Sequence, residues 1–305
     1  KDMTVKDALS HIKKEGMSSE TVYTCYVKDK GRKLIGIISL RSLVISDDDV
    51  LLEDIMETDF VHVNVLDDQE EVSNQFRKYG FIAIPVVDNE NRLVGIITVD
   101  DILDIIDEEI TEDFQKMVGV AASTEEYLDT GVLGHVKNRL PWLFYLMVSS
   151  MITGLIINHF EILLSQAIVL VSYLPLLMGT GGNSGGQSAT LIIRGIAVGD
   201  IQPKNVWKIL WKELRVGFFI GLALSLLNFT KIILLDGQNV IVALTICCSM
   251  LIIITVAKAV GGMLPMAAKR LGIDPALMAN PMIASMTDMF SVVTYFSLAS
   301  IIMGL

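Results

Sequence analysis

Gly179-Thr-Gly-Gly-Asn-Ser-Gly-Gly-Gln-Ser-Ala-Thr190 is the stretch on which the reading of this chain turns. It follows Pro175 deep inside an apolar block, and five of its first eight residues are glycine. So much glycine does not make a stable uninterrupted helix facing lipid. Irregular backbone at membrane depth survives only inside protein or along a water-filled cavity, where freed carbonyls would suit a hydrated cation. The plainer reading is close helix packing through small residues. Asn183, Gln187, Ser188 and Thr190 add polar groups that packing does not need, and they favour the cavity.

Outward from this run, the charges divide the chain in two. Residues 1–140 carry 15 basic and 29 acidic side chains, against 9 and 6 over residues 141–305, within a total of 305 residues and a net charge of −11. The second half is therefore a membrane domain and the first a soluble one. Five apolar segments are long enough for the hydrocarbon core, at about 141–164, 166–198, 205–234, 238–268 and 276–304. Lys137 and Arg139, the group from Arg194 to Arg215, and Lys269 with Arg270 fall on one side of five crossings. Glu161 and Asp236 fall on the other, with Lys231 as the exception. The positive side is cytosolic, so the N-terminal half is expected inside and the C-terminus outside, in the plasma membrane.

The soluble half contains a duplication. Tyr26-Val-Lys-Asp-Lys-Gly-Arg-Lys-Leu-Ile-Gly-Ile-Ile-Ser39 and Pro85-Val-Val-Asp-Asn-Glu-Asn-Arg-Leu-Val-Gly-Ile-Ile-Thr98 are each strand, polar turn and strand, followed by a helical segment. Gly36 and Gly95 hold equivalent places 59 residues apart. Its acidic balance argues against nucleic acid, which needs a basic footprint, and for cations as ligands. Cys25, Cys247 and Cys248 offer no disulfide framework, and the four histidines no zinc site. No Ser-His-Asp order or phosphate loop suggests an enzyme, and no protein substrate is expected. The chain opens at Lys1 within what reads as a domain, so a preceding portion is expected to be missing.

Two acidic features stand out. Residues 100–113 place apolar Ile102, Leu103, Ile105, Ile106 and Ile110 at helical spacing, with carboxylates on the other faces. Like charges at that spacing oppose a helix unless a hard divalent cation binds them. Residues 114–140 are expected to continue as a polar connecting helix up to the breaker Pro141. The second feature is Asp288, about twelve residues into the last span and near the bilayer centre. A carboxylate there costs roughly 2.5–3.5 kcal/mol on insertion scales and marks a pathway. Lys258 is the nearest candidate for its partner.

The duplicated unit, with Asp54-Ile-Met56 and Gly95-Ile-Ile-Thr-Val-Asp-Asp101, resembles the CBS domain, with copies at 1–55 and 56–113. Paired copies often bind adenine nucleotides, so the resemblance implies ATP or a related ligand at Thr98, Asp101 and Phe81. Ser42 stands where the first copy's Asp would sit. The glycine run through Arg194, together with Leu271-Gly-Ile-Asp-Pro-Ala-Leu-Met-Ala-Asn-Pro281 and Asp288, resembles the MgtE family of bacterial Mg2+ channels, and the likeness extends over the whole chain. It implies an α+β cytosolic CBS pair followed by an all-α transmembrane domain of five helices. The expected parts are CBS copies, an acidic connecting (plug) helix at 104–140 and a pore domain at 141–305.

The resemblance further implies a homodimer in the lipid bilayer that passes Mg2+. Its pore would be lined by Asp288, the backbone of Gly179, Gly182 and Ala284, and the polar Asn280 and Thr190. Cytosolic Mg2+ would close it by binding Asp68, Glu70, Asp101, Glu109, Glu112, Asp113 and Asp274. Gly186 replaces a pore Asn of the family pattern, and the family's acidic N-terminal domain is expected to be missing, which should weaken Mg2+ inhibition. A CBS-regulated transporter of broader divalent selectivity (Mn2+, Co2+), an anion channel and a nucleotide-sensing receptor are the alternatives.

Overall fold

The computed structural model describes residues 2–123, 125–278 and 280–304, in two compact units, Lys1–Ile110 and Thr111–Leu305.

In the first unit, α1 (Val5–Glu15) precedes the hairpin β1 (Thr24–Lys28) and β2 (Leu34–Ser39), then α2 (Leu40–Ile45) and α3 (Leu52–Ile55). The second copy is β3 (Val63–Asn64), α4 (Gln69–Tyr79), β4 (Ala83–Val87), β5 (Leu93–Thr98) and α5 (Val99–Met117). The duplication holds to the level of register. Val27 faces Gly36 as Val86 faces Gly95, and a β-bulge follows each pair. Arg32 and Asn91, again 59 apart, are the only non-glycine residues with positive φ among those described. Each sits in a left-handed turn, which a short polar side chain tolerates better than a branched one. The two turn tips meet through backbone hydrogen bonds: Leu34 N–H donates to the Asn91 carbonyl (2.8 Å) and Leu93 N–H to that of Arg32 (3.0 Å). These bonds exchange under the 59-residue offset, so the pair has a pseudo-two-fold axis between Lys33 and Arg92.

The copies keep separate cores, one around Val5, Ile38 and Leu43 and the other around Val63, Phe76, Ile84 and Ile102. They differ at the paired glycines. A Cβ at Gly36 would lie 2.7 Å from Met56 Sδ, whereas one at Gly95 would meet nothing within 4 Å. Gly36→Val is therefore expected to cost about 1–3 kcal/mol through overpacking, and Gly95→Val much less. Hydrogen exchange of the β1–β2 amides should rise in the first variant only; equal exchange in both would contradict the packing.

The second unit consists of α6 (Val132–His159), α7 (Glu161–Gln166), a 3-10 stretch at Ile168–Tyr173, α8 (Leu174–Ala197), α9 (Val206–Leu234), α10 (Val240–Arg270) and α11 (Asn280–Met303). It takes in the last turns of α5 as well. Two expectations are corrected here. The helix from Val99 ends at Met117 rather than running to residue 140, because the chain turns at Gly119 with φ of 72°. Pro141 does not stop a helix but lies inside α6, since a membrane helix tolerates the lost backbone bond.

Among the described residues, four stretches are apolar and long enough to cross a membrane: Val132–His159, Pro203–Leu234, Val240–Arg270 and Pro275–Met303. The fifth expected span, α8, falls short in apolarity because of its glycine and amide content, although its 24 residues reach about 36 Å. Burial explains how it persists. α8, α9 and α11 all pack on α10, whose interior face carries Ile246, Ile253 and Ile254 at 0% exposure. α6 and α9 turn Phe144, Met151, Leu155, Phe219 and Leu227 outward, the reverse of a water-soluble core and suited to lipid. Lys231, the charge out of place in the topology, is paired with Asp236 at 2.5 Å. That pairing and the Tyr173 hydroxyl hold the Asp236 carboxyl below the usual carboxylate range.

Candidate ion path and regulatory carboxylates

The glycine run is helical without interruption. It corrects the expectation of a broken span, and the reason is where the helix sits. Gly181, Gly182, Gly185 and Gly186 are all buried, so they face protein, and close packing on neighbouring helices offsets what glycine lacks in propensity. Each one marks a close approach. A Cβ at Gly182 would touch Ala284 at 3.4 Å, one at Gly185 would meet Ile283 at 2.6 Å, and one at Gly186 would fall 2.0 Å from Asn280 Oδ1. These contacts run in opposite senses along the two helices, so α8 and α11 are antiparallel. They also give a local reason for Gly186: the Asn280 side chain takes the space that a longer residue there would need.

This packing leaves one stripe of α8 uncovered. Gly179, Asn183 and Gln187 are exposed at four-residue spacing, with Thr190 partly so. On α11, Asn280, Ala284 and Asp288 share a face by the same spacing. Asp288 is half-buried and, among the described residues, has no hydrogen-bond or ion-pair partner. It lies about 12 Å along α11, a third of its length and short of the middle. Lys258 is not its partner: that ammonium turns to Ser184, Gln187 and Ser188 of α8. The backbone oxygens are less available than a broken helix would make them. Those of Gly179 and Gly182 lie within helix, and that of Ala284 also accepts the Thr287 hydroxyl at 3.0 Å.

The carboxylates expected to bind cytosolic Mg2+ fall in both units. In the first, Asp68 caps α4 by accepting the Glu70 N–H at 2.8 Å, and Glu109 accepts the Gln69 amide at 2.6 Å. Asp101 accepts the Thr98 hydroxyl at 2.7 Å, the position where Ser39 and Ser42 pair in the other copy. Phe81 packs into the second copy's core and against Tyr79. In the second unit, Glu112 and Asp274 are brought together by Lys116, whose ammonium lies 2.7 Å from Asp274 and also contacts Glu112. Burial lowers the Lys116 pKa, but its bonds to Asp274 and Glu112 outweigh that and hold it above the usual lysine range. Asp113 follows Glu112 on the same helix. Among the described residues no three acidic, His or Cys side chains converge as a metal cluster. Sequence reasoning passed over two groups that carried a signal. Lys116 stands four residues after Glu112, the spacing of a helical ion pair, and Glu213 is an acid within an apolar span.

Comparison with known proteins agrees with this arrangement. The profile of MgtE, described as a divalent cation transporter, matches residues 174–298, and that of the CBS domain matches residues 52–108. The magnesium transporter MgtE of Thermus thermophilus is 38% identical over 301 residues, covering 99% of this chain and 66% of the relative. That of Enterococcus faecalis is 37% identical over 302 residues with the same coverage. The chain thus spans about two thirds of the length of the curated relatives it matches. Among solved structures, the soluble part of a magnesium transporter shares 45% identity over 35% of this chain and 42% of its own, with a TM-score of 0.35. The cytosolic domain of the Mg2+ channel MgtE in complex with ATP shares 42% over 34% and 42%, with a TM-score of 0.34. With the glycine run packed on the helix of Asp288 and a duplicated soluble unit before it, the chain belongs to the MgtE family of divalent cation transporters.

Proposed function

We propose that this chain forms a channel that moves Mg2+ into the cytosol, with α8 and α11 of two copies lining the path. The observation that carries the reading is Asp288, a carboxylate without a partner among the described residues, on a membrane helix packed against the glycine face of α8. Lipid cannot hydrogen-bond the exposed Asn183 and Gln187 of α8, so this stripe needs water or a second copy over it. A homodimer closing there would turn it into the wall of a pore. Mg2+ dehydrates reluctantly and keeps most of its waters. A wide, polar path with one carboxylate per copy suits a hydrated ion, because each bound water donates outward to an acceptor. Asp288 supplies charge, and the amide oxygens of Asn183 and Asn280 and the Thr190 hydroxyl supply neutral acceptors. The carbonyls of Gly179 and Gly182 would contribute only their second lone pair, since the helices stay intact, and that of Ala284 would do so only in place of the Thr287 hydroxyl.

Positive charge near the ends of the apolar helices supports a cytosolic N-terminal half and an outward C-terminus. Cytosolic Mg2+ would close the path at Asp68, Glu70, Asp101, Glu109, Glu112, Asp113 and Asp274. A hard divalent ion with oxygen ligands would offset the repulsion among such like-charged groups. The Thr98–Asp101 pair at the start of α5 favours an adenine nucleotide as an additional ligand of the soluble unit.

Uptake into liposomes containing the purified chain tests the reading, with Mg2+, Mn2+, Co2+ and chloride assayed separately. Mg2+ entry well above protein-free liposomes is expected. Equal entry of Mn2+ and Co2+ would favour the broader transporter, and no entry of any ion would defeat conduction. Neutralising Glu109, Glu112 and Asp113 together should raise the internal Mg2+ needed for half-closure. An unchanged closing concentration would place regulation elsewhere.

A further inference from the structure

Lys258 of α10 is 4% exposed and lies at membrane depth, where a buried ammonium persists only if all its protons are accepted. Three oxygens of α8 receive them, each at 3.4 Å: the Ser184 carbonyl, Gln187 Oε1 and Ser188 Oγ. Ser188 Oγ in turn donates to Glu213 Oε2 of α9 at 2.5 Å. The direction of this chain is fixed by chemistry, because an ammonium can only donate and a carboxylate only accept. Proton donation therefore runs from Lys258 to Ser188 to Glu213 across three helices, and the two charges balance through one hydroxyl. The same rule fixes the Gln187 amide. A cation can hold only its oxygen, so that oxygen is drawn back toward α10 and away from the exposed stripe of α8.

We infer that Lys258 is a positioning residue for ion passage: it orients the Gln187 amide and fixes the Ser184–Ser188 turn of α8, while Glu213 balances its charge. The inference rests on α8 lining the path. Breaking the node removes more than stability, because it frees an amide that borders the ion's waters.

The test is Mg2+ flux per folded protein in liposomes, with thermal midpoint in detergent as a separate readout. Lys258→Met should lower maximal flux about tenfold, the scale of one lost charged hydrogen bond, and Lys258→Arg should keep most of it. Lys258→Met with Glu213→Gln should recover thermal stability, since no unpaired charge remains, but not flux. Recovery of both would reduce the node to charge balance and overturn the positioning role, as would wild-type flux in Lys258→Met. Should the wild-type chain pass no Mg2+, the proposed function fails by itself. The node is then judged by the thermal midpoints of Lys258→Met, Gln187→Leu and the double variant. Shifts that add independently would refute the Lys258–Gln187 contact.

Discussion

Asp288→Ala is expected to reduce Mg2+ flux by about 10- to 100-fold, the equivalent of losing a charged hydrogen bond of roughly 1.5–3 kcal/mol. Folding should not suffer. Asp288 has no hydrogen-bond or ion-pair partner among the described residues, so its removal strands no other group. Holding a carboxylate at membrane depth is unfavourable, so the alanine variant should melt no lower than the parent. Loss of flux with an unchanged or higher thermal midpoint is thus the signature of a group kept for ions rather than for packing. Asp288→Asn should fall between the two, keeping an oxygen acceptor without the charge. Flux that survives Asp288→Ala would put the ion path away from the α8–α11 seam.

The second large effect concerns packing. A Cβ on Gly261 would lie 2.1 Å from the Gly185 carbonyl oxygen and 2.8 Å from its carbon. Both are backbone atoms, so no side chain can swing aside, and α8 and α10 would have to separate. Gly217 and Gly221 of α9 make similar approaches to Thr255 and Leu251 of α10. Gly261→Ala should therefore cost at least about 1–3 kcal/mol, seen as a lower thermal midpoint and early aggregation in detergent. Gly154→Ala is the control, because a Cβ there meets nothing within 4 Å. Equal midpoints for the two variants would refute the close α8–α10 seam. Flux should fall along with stability in Gly261→Ala, unlike in Asp288→Ala, since the displaced helix is the one bearing Asn183 and Gln187.

Much of the architecture was legible because it rests on local pattern. The strand-turn-strand copies, the helix starting after Thr98 and the apolar spans all follow from periodicity and from turn residues such as Asn91. Misreadings arose where tertiary burial overrides local propensity. A glycine-rich run reads as broken when its surroundings are taken as lipid, yet it stays helical when α10 and α11 enclose it. Pro141 reads as a stop by the same local logic. The path was partly legible: Asp288 stands out as an acid in an apolar span, but Glu213 and Lys258 could be paired only once α8 was seen to pass between them. Among the candidate regulatory residues, sequence could mark carboxylates, but not that Lys116 bridges Glu112 and Asp274.

The crossed turn tips of the soluble unit carry one more implication. Their joint is made of main-chain atoms, Leu34 N–H to the Asn91 carbonyl and Leu93 N–H to that of Arg32. Such a joint places no demand on side-chain identity beyond a residue that accepts a left-handed turn. One copy can then drift in sequence while staying mated to its twin, as long as the strand register that both copies share is kept. Substitution tolerance at this seam should accordingly be high for side chains and low for proline, which would remove the donor at position 34 or 93.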